Sequence, residues 1–483
     1  AVGVFAGVPT MPVRPGEKDT LIVDNTLGNV ATNLVGTETV ELIKTKDSKG
    51  KDSTGITLGE HATESIGALV GDTEVDLNDG KVNGVQTSGR KLKRSGDIIA
   101  RAGYTIAVGG YKNYGFVVSN SGHSSSFLST KDVDDLQYKA DKVNHGKGIN
   151  EGKINVTGIS SIGFALIKGG NSANKGTISV EGNAEDSIGF YGKEDNFSNT
   201  GTIQVTSVKS KNKAVVLDGT NSKNRINFTN TGNIYVNTAD NANTNLIGTG
   251  NIGVYAQRNY KFDHDVGKLN VGTNAVGLYV KDATGEVNIK APINLAASGT
   301  GTNKGTTVGI YSDGDAKVNF TDNTTLTIGE GAVGLYSSNP TNFDKTFTIA
   351  NGKTLSVDLG KNSTFGLLNG NKNATASPVL SKFLNASSTT GKISITQFGE
   401  GASLFYATSK AKAVLDEDYT ITNGGAESTS VLVADDGATV EIASGKTLET
   451  NTNVGLVATK GAGTSLSTSV AENKGTLIST RTD

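Results

Sequence analysis

The sequence predicts an all-β chain wound into a right-handed parallel β-helix, a solenoid with loop insertions. Three observations predict it: a Gly-rich, Pro-poor composition, a short module that recurs along the chain, and a spacing near 25 residues between its copies. The 483 residues include 63 Gly, 6 Pro, one Met and no Cys or Trp, and 35% are hydrophobic. Such a chain cannot fill a wide core with large side chains. Its Val, Ile, Leu, Thr and Asn suit many short strands joined by tight turns around a thin core. Disorder is excluded by the regular spacing of β-branched and aromatic clusters.

The first part of the module is a turn followed by a strand: Asn174-Lys175-Gly176-Thr177-Ile178-Ser179-Val180, with relatives starting at Asn199, Asn230 and Asn473. Asn there tolerates a left-handed backbone and bonds local backbone groups. The second part reads Ser187-Ile188-Gly189-Phe190-Tyr191, Asn251-Ile252-Gly253-Val254-Tyr255, Ala275-Val276-Gly277-Leu278-Tyr279, Thr307-Val308-Gly309-Ile310-Tyr311 and Ala332-Val333-Gly334-Leu335-Tyr336. Looser copies are Ser161 to Phe164, Thr364-Phe365-Gly366-Leu367-Leu368 and Asn453 to Val457. Between Gly163, Gly189, Gly253, Gly277, Gly309, Gly334 and Gly366 the steps are 26, 64, 24, 32, 25 and 32. The 64 is read as two coils, with Ala214-Val215-Val216-Leu217 in the same place and Val216 standing for Gly. A period of roughly 24 to 38 residues is one turn of a β-helix with three strands and three corners. Stacked Val, Ile and Leu then form ladders inside the tube, and Gly sits where a side chain does not fit. The alternation in 202–205 and 268–271 has period two, which excludes an amphipathic helix there.

Before residue 150 the spacing is irregular, so residues 1–150 read as an N-terminal cap with early coils and 151–483 as regular coils of one continuous solenoid. Residues 1–8 are apolar but too short for a signal peptide, so any signal is expected to have been removed. No run of 18 apolar residues offers a transmembrane helix. With 45 Lys plus Arg against 47 Asp plus Glu, the net charge of −2 provides no broad basic face, and no nucleic-acid partner is expected. The basic run Arg90, Lys91, Lys93 and Arg94 reads as one solvated turn. The absence of Cys excludes disulfides, thiolate metal sites and Cys nucleophiles, and suits export.

The paired motifs N-[KT]-G-[TN]-[IL] and [SAT]-[IV]-G-[FLIV]-Y resemble the passenger repeats of fusobacterial-type autotransporter adhesins, over about residues 150–483 and only loosely before. The resemblance implies an exported passenger on the extracellular face of the bacterial outer membrane. A C-terminal β-barrel, absent from these residues, would be the membrane connection. It implies adhesion and virulence through a host cell-surface glycoprotein, with an Ig-like receptor of the CEACAM family as the suggested partner. A monomer is expected. A trimeric autotransporter head is the alternative, against which stand the long period and the lack of sustained heptads.

A polysaccharide-acting β-helix enzyme is the other alternative. His61, His123, His145 and His264 show no two-His metal spacing and lie in polar stretches. Ser121, in Asn120-Ser121-Gly122-His123, lacks the acidic neighbour and flanking Gly of a nucleophile motif. Asp132, Asp134 and Asp135, like Asp313 and Asp315, lack the Gly turn and distal Glu of a calcium loop. Stacked carboxylate pairs suited to glycoside hydrolysis are not evident. No catalytic residue, metal or cofactor is expected.

Binding is then expected where the period breaks, at 207–213, near 238–250 and at 369–390. The last carries Pro378, Val379, Leu380, Phe383 and Leu384 in an Asn, Ser and Thr background. A second candidate, 127–138, interleaves Phe127, Leu128, Leu136 and Tyr138 with charges. Such apolar residues either fold back on the tube or anchor a partner.

Overall fold

The computed structural model describes residues 2–6, 20–23, 32–34, 39–43, 55–77, 81–82, 85–86, 90–95, 97–119, 146–219, 225–238, 248–281, 284–300, 305–313, 316–338, 347–370, 391–416, 418–421, 430–451, 454–459 and 468–480. They contain strands and no helix. Two units are present, Ala1–Ile203 with Asp218–Phe228, and Gln204–Leu217 with Thr229–Asp483. Each is a parallel β-helix. Its strands leave and return to three sheets in turn, and each pairs in parallel with its equivalent one coil away.

In the first unit, sheet 1 runs through Val2–Ala6, Ile66–Leu77, Tyr114–Ser119, Ile162–Lys168 and Ile188–Gly192. Sheet 2 holds Thr39–Leu42, Asp97–Ala100, Gly148–Asn150, Ser172–Asn174 and Asp195–Asn199, and sheet 3 holds Ile56–Leu58, Thr105–Val108, Lys153–Val156 and Thr177–Val180. The coils between residues 56 and 119 therefore stack in the same three sheets as those after 146. Tyr114 pairs with Ile162, 48 residues on, because residues 120–145 fall within that coil, whereas Ile162 pairs with Ile188 after only 26. The basic run is a strand rather than a turn. Arg90–Ser95 pairs antiparallel with the outer end of Ile66–Leu77, and the register sets Glu74 opposite Lys93 and Asp76 opposite Lys91.

Apolar residues form the expected interior ladders. The first unit is packed around rings: Phe116 stacks on Phe164 at 4.7 Å, and Phe190 lies 3.8 Å from Phe197, all essentially inaccessible. In the second unit the equivalent interior column is aliphatic, with Val254, Leu278, Ile310 and Leu335 paired coil to coil at 0% exposure. Each such side chain contributes on the order of 1.5–3 kcal/mol.

The motif glycine has a specific cause. A Cβ on Gly163 would lie 2.7 Å from the Gly189 carbonyl, and one on Gly253 2.5 Å from that of Gly277. The glycines stack, and each leaves room for the carbonyl of the next coil. Two sequence alignments need correction. The Asn212 amide donates to Asn251 Oδ1, and the Ile252 amide donates to the Asn212 carbonyl. Asn212 thus matches Asn251, so the buried Ala214, not Val216, stands in the glycine's place, and Val216 stands in the tyrosine's place. Likewise Val333 pairs with Thr364 and Leu335 with Gly366, so Phe365 takes the glycine's place and Gly366 the leucine's. The large ring and the glycine exchange positions, which keeps the interior volume filled.

The turn asparagines also do something other than expected. Asn150, Asn174 and Asn199 are fully buried and outside the left-handed region. Asn150 Nδ2 donates to Asn174 Oδ1, and Asn174 Nδ2 to Asn199 Oδ1, each at 2.7 Å. They form an internal ladder that satisfies buried amides from one coil to the next. Left-handed residues recur at another corner, just before sheet 1, where Lys112, Ser160, Asp186, Lys211 and Asn274 all have φ between 48° and 65°. Replacing Asn174 by Ala should cost about 1–3 kcal/mol, because it strips a buried amide of its partner. A lowered urea midpoint with unchanged β-rich circular dichroism would show this, and an unshifted midpoint would count against the ladder.

Candidate binding surface

The outward face of sheet 1 in the second unit is built by alternation. In Ile252–Gln257, Val254 and Ala256 point inward, and Tyr255 and Gln257 point out. Parallel register repeats this choice: Tyr255 pairs with Tyr279, Tyr279 with Tyr311, and Tyr311 with Tyr336. The rings stack along the coil direction, with centroids 5.2, 4.7 and 4.6 Å apart and planes within 26°. Beyond Tyr336 the same column continues as Leu367, Tyr406, Val433 and Val457. An outward column this long and this apolar is more than scattered surface hydrophobes.

A polar column runs beside it. Tyr255 donates to Gln257 Oε1 at 3.0 Å, Tyr279 to Asp313 Oδ2 at 2.9 Å and Tyr406 to Asp435 Oδ2 at 2.7 Å. Asn369 Nδ2 donates to the Tyr336 hydroxyl at 2.6 Å. Ser338 Oγ donates to Asp313 Oδ1 at 3.1 Å, and Lys281 Nζ stands 3.8 Å from Asp313 Oδ2. Partial burial, reinforced by the neighbouring carboxylates, raises the Tyr279 and Tyr406 phenols well above their usual range. Because stacking occupies the ring faces, the solvent side of the column consists of ring edges and hydroxyls. This amphipathic stripe can offer a partner apolar contact and hydrogen bonds together.

The outward faces of sheets 2 and 3 are different. Asn319 Nδ2 donates to Asn288 Oδ1 and Asn288 Nδ2 to Asp263 Oδ1, at 3.1 and 2.8 Å, and Asn294 Nδ2 donates to Asn270 Oδ1 at 2.9 Å. Several carboxylates are held by cations. Lys290 meets Asp265 at 2.8 Å, Lys353 meets Asp322 at 2.7 Å, and Glu441 lies between Lys412 at 2.8 Å and Lys474 at 2.9 Å. Burial opposes the Glu441 charge, but the two lysines prevail and hold its carboxyl below the usual range. These side chains are committed to holding neighbouring coils together.

The loop anchors expected from sequence, Pro378, Val379, Leu380, Phe383, Leu384, Phe127, Leu128, Leu136 and Tyr138, lie outside the described residues. So do His123, His145, Ser121, Asp132, Asp134, Asp135 and Asp315. Asp313 is described, and its place is in the tyrosine stripe. His61 is exposed, whereas His264, expected in a solvated loop, is buried at 0% exposure at the end of Tyr260–His264. No group of three or more His, Cys, Asp or Glu suited to a metal ion occurs among the described residues. The tyrosine stripe lies outside the sites expected from sequence, all of which fall at breaks in the period. Its signal was in the period itself: Tyr recurs one step after the buried apolar residue, in the outward phase.

No family model and no curated protein matches the chain. Among solved structures it is similar to a mutant tailspike protein of E. coli bacteriophage HK620 in complex with a pentasaccharide, at 12% identity, covering 78% of this chain and 72% of that one, with a TM-score of 0.24. It is also similar to the Family 28 exopolygalacturonase of Yersinia enterocolitica, at 10% identity, covering 92% of this chain and 73% of that one, with a TM-score of 0.14. Neither likeness bears on the chemistry of this chain.

Proposed function

We propose that this chain is the exported passenger of a bacterial autotransporter, displayed on the outer face of the outer membrane, and that it works as an adhesin for a host cell-surface receptor rather than as an enzyme. The observation that carries the reading is the tyrosine stripe of sheet 1, an outward column of stacked rings with a polar row beside it. Tyr is enriched among residues that dominate binding energy at protein interfaces, and a polar border supplies orientation. The repeat motifs contribute the adhesin resemblance. An Ig-like receptor of the CEACAM family is the partner class that this resemblance suggests. The segments 127–138 and 369–390 are further proposed contact elements in addition to the stripe.

The test is binding of the full chain to epithelial cells and capture of host membrane glycoproteins. Replacing Tyr279 and Tyr311 together by Ser should weaken binding by about tenfold or more, since each interface tyrosine carries roughly 1 kcal/mol or more. Replacing Phe383 and Leu384 together by Ala asks the same of the loop. Circular dichroism should be unchanged in both. A wild-type chain that binds no cells and captures no membrane protein, yet degrades a glycan or protein substrate, would overturn the reading in favour of the enzyme.

A further inference from the structure

We propose that Tyr279 is a preferred site of one-electron oxidation in this chain, fed by the stacked tyrosines on either side of it. Two requirements for easy oxidation of a phenol meet at this residue. The first is electronic contact. Electron exchange falls steeply with distance, and Tyr279 lies in face-to-face contact with Tyr255 at 5.2 Å and Tyr311 at 4.7 Å, with Tyr336 a further 4.6 Å along. An electron vacancy made on any of these rings can pass between neighbours.

The second requirement is a place for the proton. A phenol that has lost an electron is a strong acid, so its oxidation is easiest where a base already holds the hydroxyl hydrogen. The Tyr279 hydroxyl donates to Asp313 Oδ2 at 2.9 Å. The other ladder members have weaker arrangements: Tyr255 donates to the Gln257 amide oxygen and Tyr336 receives a hydrogen bond from Asn369, while the Ser338 hydroxyl near Tyr311 donates to Asp313 Oδ1. The Tyr279 hydroxyl is thus set against a carboxylate, whereas those of Tyr255 and Tyr336 are set against side-chain amides. A vacancy created anywhere on the stack therefore settles at Tyr279.

The step balances as follows. An outer-sphere one-electron oxidant of the trivalent metal-complex class takes one electron from Tyr279 directly, or from a stacked ring that then takes one from Tyr279. The Tyr279 O–H bond breaks, its proton goes to Asp313 Oδ2, and a neutral phenoxyl radical remains. The oxidant is reduced by one electron. Asp313 has 38% of its side chain exposed, so it releases the proton to water and its carboxylate is restored. The phenoxyl can then form a carbon–carbon bond with a second phenoxyl, the two displaced ring hydrogens returning to the two oxygens.

The fold supplies controls. Tyr406 has a carboxylate partner, Asp435, at 2.7 Å, but its ladder neighbours are Leu367 and Val433, so it has the base without the stack. Tyr311 has the stack, but Asp313 accepts its hydrogen bond from Tyr279. Tyr111, in the other unit, is 46% exposed, and the ring stack of sheet 1 does not include it. If exposure alone set reactivity, Tyr111 would lead.

The experiment is brief photo-oxidation of the full chain with tris(bipyridine)ruthenium and persulfate in the presence of a biotinylated phenol, followed by peptide mapping. The expected result is label concentrated on Tyr279, several-fold above Tyr406 and Tyr111. Asp313→Asn, which keeps the shape but removes the base, should bring Tyr279 down to the level of Tyr311. Tyr311→Leu, which shortens the stack, should bring it towards the level of Tyr406, and Asp435→Asn should leave it unchanged. Label that follows exposure, or Tyr279 labelling indifferent to Asp313→Asn, would overturn the proposal. A frozen-sample tyrosyl radical signal that Asp313→Asn does not alter would do the same.

Discussion

Gly277→Ala should destabilise the second unit by about 1–3 kcal/mol, a large effect for one methyl group, because the added Cβ is caught between two coils. It would lie 2.6 Å from Val271 Cγ2 and 2.7 Å from the Gly309 carbonyl oxygen. The side chain can give a little, but the carbonyl belongs to the parallel ladder that joins Val276 to Val308 and Leu278 to Ile310. Moving it strains hydrogen bonds on both sides of the glycine. Ala214 shows that a methyl is accommodated at one coil of this column, and Phe365 shows a larger group elsewhere. The cost therefore depends on the neighbours rather than on the column as such. Gly59→Ala is the control, since a Cβ there meets nothing within 4 Å, and it should shift stability by no more than about 0.5 kcal/mol. Thermal and urea unfolding of both variants decide the matter. Equal, negligible shifts would mean that the glycine column is not required by packing.

The glycine column was legible because its cause is steric and local to the motif, and the apolar ladders were legible because alternation reports them directly. Register was less so. Thr364-Phe365-Gly366 can be aligned on its glycine or on its threonine, and a one-residue slip moves every side chain to the other face. Only the hydrogen-bonded partners show that Val333 faces Thr364. The asparagines were read as local turn residues, yet their partners lie one coil away: Asn150 and Asn174 are 24 residues apart, and nothing within the turn itself names the other. Tyr255, Tyr279, Tyr311 and Tyr336 were visible as a repeat but were grouped with the apolar residues of the module. Counting two from the buried Leu278 to the buried Val280 puts Tyr279 outside, and that step turns a core motif into a surface. Loop residues such as Phe383 are a different case. An insertion has no stacked equivalent, so periodicity gives no information about its conformation.

His264→Asn should remove a loss of stability on the order of 3 kcal/mol that the natural chain suffers as pH falls from about 6.5 to about 4. In the second unit, Asn230 Nδ2 lies 2.9 Å from His264 Nδ1, an imidazole standing where an asparagine would continue the column. Nδ1 accepts that hydrogen bond in the neutral ring, which leaves the proton on Nε2, and Nε2 has no hydrogen-bond partner among the described residues. Burial pushes the imidazole down from its ordinary 6.5 to about 4; the nearby Pro292 backbone and the Asp265 charge offset this only in part. The Pro292 carbonyl favours the protonated ring by proximity without making a well-formed hydrogen bond to it. The sign follows from proton counting. Between the two values the unfolded chain binds a proton at this histidine and the folded chain does not, so stability is full above about 6.5, declines as pH falls, and levels off below about 4. Carboxylates such as Glu441, held below their ordinary range by lysine partners, add their own acid losses from about 4.5 downward. The interval from 6.5 to 4.5 therefore isolates the histidine. Asn at this position can accept from Asn230 and carries no titratable group. Its smaller volume lowers stability at pH 7, but the difference between variant and natural chain should narrow with falling pH and can reverse near pH 4.5. Urea midpoints measured at half-unit steps give that difference directly, and a constant gap from pH 7 to 4.5 would show that the buried imidazole is not the acid-sensitive group.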